Sequence, residues 1–276
     1  MPNVTANSEG YDIVPVPGRR HVLRRWVARA AWALAVLTPL VFVVAALGAK
    51  LGVWSWQFGL GTLTRTVGTN MLFATLAVGV VSLLLAVVIK PRLKRGLAAG
   101  IVATAVGLAG LAYGASVRAT ATNLPFIHDV TTDTQNPPVF AGRIIDERAG
   151  VKGVNTLDYV GKTDRGGTLV SVLQAKGYPA LRPIITQDSP EIAYARALEI
   201  AGDLGWEVKD ADAVEGAIEA TATTFWYGFE DDVVIRVRPG AGGGSVVDLR
   251  SISRVGGSDL GANAARIEAF VERFEG

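Results

Sequence analysis

The sequence predicts an α+β membrane protein: three transmembrane helices, then an extracytoplasmic domain in which an antiparallel sheet is packed by helices. Two observations predict it. Apolar residues crowd into three uncharged runs before Thr120, and beyond Thr120 four short runs of strand character lie between two amphipathic helical segments.

The uncharged runs are Ala30 to Ala49, Thr66 to Ile89 and Gly96 to Val117, of 20, 24 and 22 residues. A helix needs about 20 apolar residues to cross a hydrocarbon core of about 30 Å, so each run is long enough. One such run could be a buried core helix, but three in close succession, with charges only between them, define a membrane region. The chain then divides into a basic tail over 1–29, a three-helix membrane region over 30–118 and a domain over 119–276.

Charge follows the same division. Twelve Lys and Arg face two acids before Thr120, a net of +10, whereas fifteen face twenty-three from Thr120 onward, a net of −8. Neutralising phosphates is the main source of nucleic-acid affinity, so an acidic domain excludes that class of partner. Cationic loops are retained on the cytoplasmic side. The tail "RRHVLRRWVAR" and the hairpin "KPRLKR" are strongly basic, while the loop from Lys50 to Arg65 has only its two terminal cations and carries the interfacial rings Trp54, Trp56 and Phe58. The expected orientation is therefore a cytoplasmic N-terminus and an extracytoplasmic C-terminal domain. Ala46, Gly48 and Ala49 offer small residues for signal-peptide cleavage, against which the length of the run and of its tail argue.

Within the spans, Pro39 predicts a kink. The third span carries a stripe, Gly96, Gly100, Ala103, Gly107, Gly110 and Gly114, at helical intervals of three and four. Small residues let membrane helices approach closely. The stripe is expected to pack against the other spans of the same chain, the rival reading being a homo-oligomer through this helix. No Asp, Glu, Lys, Arg or His lies inside any span, which argues against a transporter built from this chain alone.

In the domain, residues up to about Asp188 are Pro/Gly-rich and weakly periodic, which predicts loops and short helices wrapped on a core formed later. "SPEIAYARALEIAGDLG" has Ser189 as a cap, Pro190 at the first helical position and a stop near Gly202 to Gly205, all helix signals. "WEVKDA", "EGAIEATATTFW", "DVVIRVRP" and "SVVDLRSIS" read as strands, and "SDLGANAARIEAFVERF" as a closing amphipathic helix capped around Ser258 and Asp259. Alternation puts Val233, Ile235 and Val237 on one face. The other face gathers Arg236, Arg238, Asp248, Arg250 and Arg254, with Glu219 from the second strand. That face reads either as a ladder of weak exposed ion pairs or as a positive patch suited to an anion, supplemented by backbone amides at the last helix. The second reading is preferred.

Four stretches, "FIHDVTTDTQNPPVF", "GYPALRPI", "EATATTFWYGFEDDVVIRVRP" and "VDLRSISRVGGSDLGANAARI", together resemble the DUF1499 family of bacterial and plastid domains, whose name records that their role is undefined. The three-span N-terminus also looks like the membrane-anchored bacterial members, which implies a bacterial inner membrane with the C-terminal domain in the periplasm. The resemblance implies membership and transfers no catalytic residues.

Chemistry is sparse. There are no cysteines, which excludes disulfides, thiol catalysis and thiolate metal sites. His128 is the only histidine beyond the spans, so with Asp129 and Asp133 it offers too few ligands for zinc, and no metal or cofactor is expected. Pairing His128 with Ser251 or Ser253 would make a hydrolase, but no nucleophile-elbow motif occurs. "PGAGGGS" lacks the Lys-Ser/Thr of a phosphate loop and reads as a hairpin turn. Around His128 the Asp and Thr side chains are expected to cap turns, with Pro137 and Pro138 holding the chain extended. The candidate ligand-contacting residues are His128, Asp129, Asp133, Trp226, Arg236, Asp248, Arg250, Arg254 and Asp259. The expected function is a binding or scaffold module of the cell envelope, handling a lipid or another apolar or anionic ligand. Phe225, Trp226, Tyr227 and Phe229 near the membrane motivate the lipid. The rivals are a protein-assembly factor in a membrane complex and a hydrolase using His128.

Overall fold

The computed structural model describes residues 18–91 and 93–276; the first seventeen residues of the expected tail, and Arg92, lie outside the described residues, while the basic part of that tail, Arg19 to Arg29, belongs to the first helix. Two compact units form, one from Met1–Val43 with Thr62–Tyr113, the other from Val44–Gly61 with Gly114–Gly276.

The chain begins with α1 (Arg19–Lys50), a wide-turned π-helix (Gln57–Gly68) running into α2 (Thr69–Val88), and α3 (Lys94–Asn123). All three helical paths are long and apolar enough to cross a membrane. The second starts nine residues before the apolar run expected to begin at Thr66, so the loop expected over Lys50 to Arg65 is mostly helical. Arg65 and the glycines of "QFGLG" break the apolar pattern without breaking the helix. In the first unit, the stripe on α3 lies against α2. A Cβ at Gly100 would come 2.6 Å from Leu83 Cγ, one at Gly107 would come 2.8 Å from Leu76 Cβ, and one at Gly110 would strike Leu72. Gly96 and Ala103 are also buried, while a Cβ at Gly114 would meet nothing. Thr38 and Thr75 share a hydrogen bond of 2.7 Å between α1 and α2. Arg24 donates to the carbonyls of Ile89 and Pro91 at 2.6 Å, satisfying acceptors that the end of α2 leaves open.

The second unit is built on an antiparallel sheet in the order β1-β6-β5-β4-β3, with β2 sharing the β1 edge of β6. Its strands are β1 (Asp129–Thr131), β2 (Ile184–Thr186), β3 (Glu207–Asp212), β4 (Ala217–Thr223), β5 (Glu230–Pro239) and β6 (Ser245–Ser253). The four strands read from the sequence are β3 to β6. β4 stops at Thr223, three residues short of the expected run, because Thr224 to Phe229 turn the hairpin. The two three-residue strands on the far edge were not anticipated.

Each face of the sheet is closed differently. Ile218, Ala220, Val233, Ile235, Val237, Val247 and Leu249 pack beneath α6 (Pro190–Asp203) and α7 (Ala262–Glu275), whose Ala193, Ala197, Ile200, Ile267 and Phe270 complete one core. Trp206 stacks on Phe270 with centroids 5.8 Å apart, anchoring the end of α6 to α7. α5 (Val170–Gly177) adds Val170 to that core, whereas the opposite face is covered by the irregular chain after β1, which carries α4 (Arg143–Ala149). There Phe140 and Ile144 pack on Val234 and Ile252.

Candidate functional site

Strand alternation puts Asp232, Val234, Arg236, Asp248, Arg250, Ile252 and Arg254 on the covered face, as the sequence pattern requires. The cover changes what they are. Arg250 is 1% exposed. Its Nε and Nη2 donate to the two oxygens of Asp129 at 2.9 Å each, and Nη2 also donates to Leu157 O at 2.6 Å. The rings of Phe140 and Tyr159 each lie 5.6 Å from its guanidinium. Lys162 adds a second cation to Asp129 at 3.1 Å. Burial, followed by the charge of Asp129, pushes the Tyr159 hydroxyl well above its ordinary range. That hydroxyl donates to Gln174, whose amide also pairs with both backbone groups of Thr131 in place of a further strand.

A second knot surrounds Asp232, which accepts from Arg254 and, at 2.6 Å, from Arg148. Arg254 is shared further with Glu147 and Glu230. Burial would lower the Arg254 pKa, but the bonds and charge of Asp232 outweigh it and hold the group above its usual value. The third knot places Arg236 and Arg238 on the same oxygen of Asp248, leaving Asp248 Oδ1 buried without a partner. Asp133 sits 3.7 Å from Arg236 and accepts from the amides of Gln135 and Asn136 in a local turn.

Two expectations are corrected here. Around Arg250 and Arg254 the face is neither an exposed ladder nor an open positive patch, because the cover buries both and their donors go to Asp129, Asp232, Glu147 and Glu230, while Arg238 at the edge stays 43% exposed. The amides at the start of α7 are not open to an anion either. The helix begins at Ala262, and Asp259 accepts from the N–H groups of Gly261 and Asn263 at 2.9 Å. Burial raises the Asp259 carboxyl against the lowering pull of those amides.

His128 donates from Nδ1 to Gly257 O at 3.3 Å, and its Nε2 is buried without a hydrogen-bond partner. Burial and then the charge of Lys162 lower its pKa, which favours the neutral ring. Ser251 donates to Asn263 and receives Arg266, and Ser253 receives Asn263, so both hydroxyls serve α7. Neither hydroxyl is bonded to the His128 ring. Among the described residues no group of three or more His, Cys, Asp and Glu is arranged to hold a metal.

Open space lies elsewhere. A cleft of about 420 Å³ runs along Thr132, Asp133, Gln174, Tyr178 and Arg182, but Gln174 and Asp133 there are already committed to backbone groups. A second, of about 270 Å³, is walled by Trp54, Trp56, Tyr227, Gly228 and Phe229, with Glu230 and Arg254 also lining it. Trp54 lies flat over Gly48, where any Cβ would strike the ring, and donates to Ala45 O at 3.1 Å. That fixes the segment after α1. The β4–β5 hairpin supplies the other wall. Thr224 clasps it by accepting from Phe229 N and donating to Trp226 O. Tyr227 is held at φ 63°, a costly conformation for a bulky residue, with its ring stacked on Phe229 at 5.7 Å. Trp56 meets the same Phe229 edge-on at 5.7 Å. Lys50 donates to Phe225 O at 3.1 Å and lies over the Phe225 ring. Phe225 remains 69% exposed and Trp226 50%.

Of the nine candidates, Asp129 pairs with Arg250 and Asp248 with Arg236, while Arg254 pairs with Asp232, which lies outside the nine. Asp133 borders the third of those knots, while His128 and Asp259 sit at the start of β1 and of α7. Arg254 alone also lines the aromatic cleft, beside which Trp226 projects at the hairpin tip. The contribution of Trp54 and Trp56 to one wall was missed, although their rings were read as interfacial.

Three helices able to span a membrane, followed by an α+β domain with both faces of its sheet covered, define a membrane-associated protein with an aromatic cleft. The chain belongs to the family described as protein of unknown function (DUF1499), whose model matches residues 129–274, from the first residue of β1 into α7. No curated protein matches the chain.

Proposed function

We propose that this chain is a lipid-binding module of the bacterial cell envelope, anchored in the inner membrane with a cytoplasmic N-terminus and a periplasmic sheet domain. Loop charge supports the orientation, since the basic segments flank one set of helix ends. The observation that carries the lipid reading is the cleft between the Trp54–Trp56 segment and the Tyr227–Phe229 hairpin. It adjoins Lys50, the last residue of an apolar helix, and aromatic rings with a polar edge settle at the boundary between headgroups and acyl chains. A hydrolase draws no support from serines whose hydroxyls are tied to α7.

The test is mass spectrometry of lipids retained by the full chain after detergent extraction. Wild-type protein is expected to retain phospholipid near one-to-one, and Trp56→Ala with Tyr227→Ala to lose most of it. Equal retention by the variant would remove the cleft as the binding place.

A further inference from the structure

The geometry points to the ammonium headgroup of a zwitterionic phospholipid as the ligand of this cleft, held by the rings of Trp56, Tyr227 and Phe229 and by the carboxylate of Glu230. This rests on the lipid reading of the cleft and narrows it to a headgroup. Three features of the site select a cation.

The first is the aromatic walls. Trp56 meets Phe229 at 69° between ring planes and Tyr227 stacks on it at 22°, so rings of different orientation border one space. An aromatic face is electrostatically negative, and cages of this kind bind alkylammonium groups. The second is the charge beside them. Glu230 is paired with Arg254 at 2.7 Å, yet its side chain stays 42% exposed. Arg148 and Lys209 share the other carboxylates that Arg254 binds, and only Oε2 of Glu230 is engaged, by Arg254 Nη1, so Glu230 retains an oxygen for another cation. The third is that the arginine offers little to an anion, since its Nε, Nη1 and Nη2 all donate to carboxylates. An anion entering the cleft would meet aromatic rings, a carboxylate and an arginine whose donors are already taken.

The exposed Lys50 lies at the rim, against Gly228 and Phe225. It supplies the complementary charge for the headgroup phosphate, so the two ends of a zwitterion find opposite partners around one hairpin. The strained Tyr227 backbone is consistent with a ring held in place for a ligand.

The full chain in nanodiscs made from equal parts phosphatidylethanolamine and phosphatidylglycerol tests this, with retained lipids read by native mass spectrometry. Wild-type protein is expected to retain the ethanolamine lipid over the glycerol lipid roughly five- to tenfold, within the range of a desolvated cation–π contact. Glu230→Gln and Trp56→Leu, which keep size or apolarity, should each bring the ratio close to one while lipid is still retained. Because Glu230→Gln also touches Arg254, the Trp56→Leu result stands as the independent arm. Retention without headgroup preference, or a preference unchanged in both variants, overturns the ammonium assignment and leaves a nonselective lipid cleft. Retention of no lipid by wild-type protein overturns both.

Discussion

Replacing Arg250 by Met tests the covered face of the sheet most severely. The substitution removes both 2.9 Å bonds to Asp129 and the bond to Leu157 O, in a place where Arg250 is 1% exposed and Asp129 fully buried. Lys162 alone would then face Asp129, at 3.1 Å and from a less buried position. Breaking a buried pair from one side costs about 3–5 kcal/mol, against under about 1 kcal/mol for an exposed pair. The remaining Lys162 argues for the lower part of that range. At roughly 2–4 °C per kcal/mol for a domain of this size, the melting temperature should fall by on the order of 10 °C. The assay is near-ultraviolet circular dichroism of the full chain in detergent, with exposed Lys152→Ala as the control. Lys209 would be a poor control, because its side chain is 11% exposed and bridges Glu147 and Glu207. The double change Arg250→Met with Asp129→Leu should recover much of the loss, since an apolar pair can replace a buried ionic one at little cost. A single-variant loss matching that of Lys152→Ala would refute the sealed face.

Three further outcomes follow from the geometry. Gly107→Val should destabilise the helical region by driving a side chain into Leu76, whereas Gly114→Val, with nothing within 4 Å, should not; equal melting temperatures would refute the close approach of α2 and α3. His128 is lowered by burial, so below its ordinary value of about 6.5 the unfolded chain binds more protons and stability falls as pH drops toward the lowered folded value. His128→Gln should flatten that slope in melting curves taken between about pH 7 and 5, and an unchanged slope would move the effect elsewhere. A reporter active only in the cytoplasm should be silent after Gly276 and active in the Lys90 to Arg95 hairpin; the reverse pattern would overturn the proposed orientation.

The legible parts of the fold were those with local periodicity. α6, α7 and β3 to β6 each carry their own pattern, and the alternation of Val233, Ile235 and Val237 against Val234, Arg236 and Arg238 assigned both faces correctly. β1 and β2 are three residues each, and their pairing with β6 is set by residues distant in sequence, which no local pattern records. The fate of the arginine face was illegible for a related reason. The cover has no regular period, so nothing in it announces that Leu157 O, Phe140 and Tyr159 will enclose Arg250. Asp232 was within reach, since the same alternation that placed Arg236 puts it on the polar face. The cleft needed Trp56 to meet Phe229 from a distant part of the chain, although both aromatic clusters were visible separately.

Site-specific photo-crosslinking at Trp226 in intact membranes tests the lipid-binding account most directly. The hairpin tip is exposed beside the cleft, so a photoreactive residue at 226 should capture phospholipid while one at Lys152 should not. Protein adducts at 226 with no lipid adduct would contradict the account and favour an assembly role for the same surface.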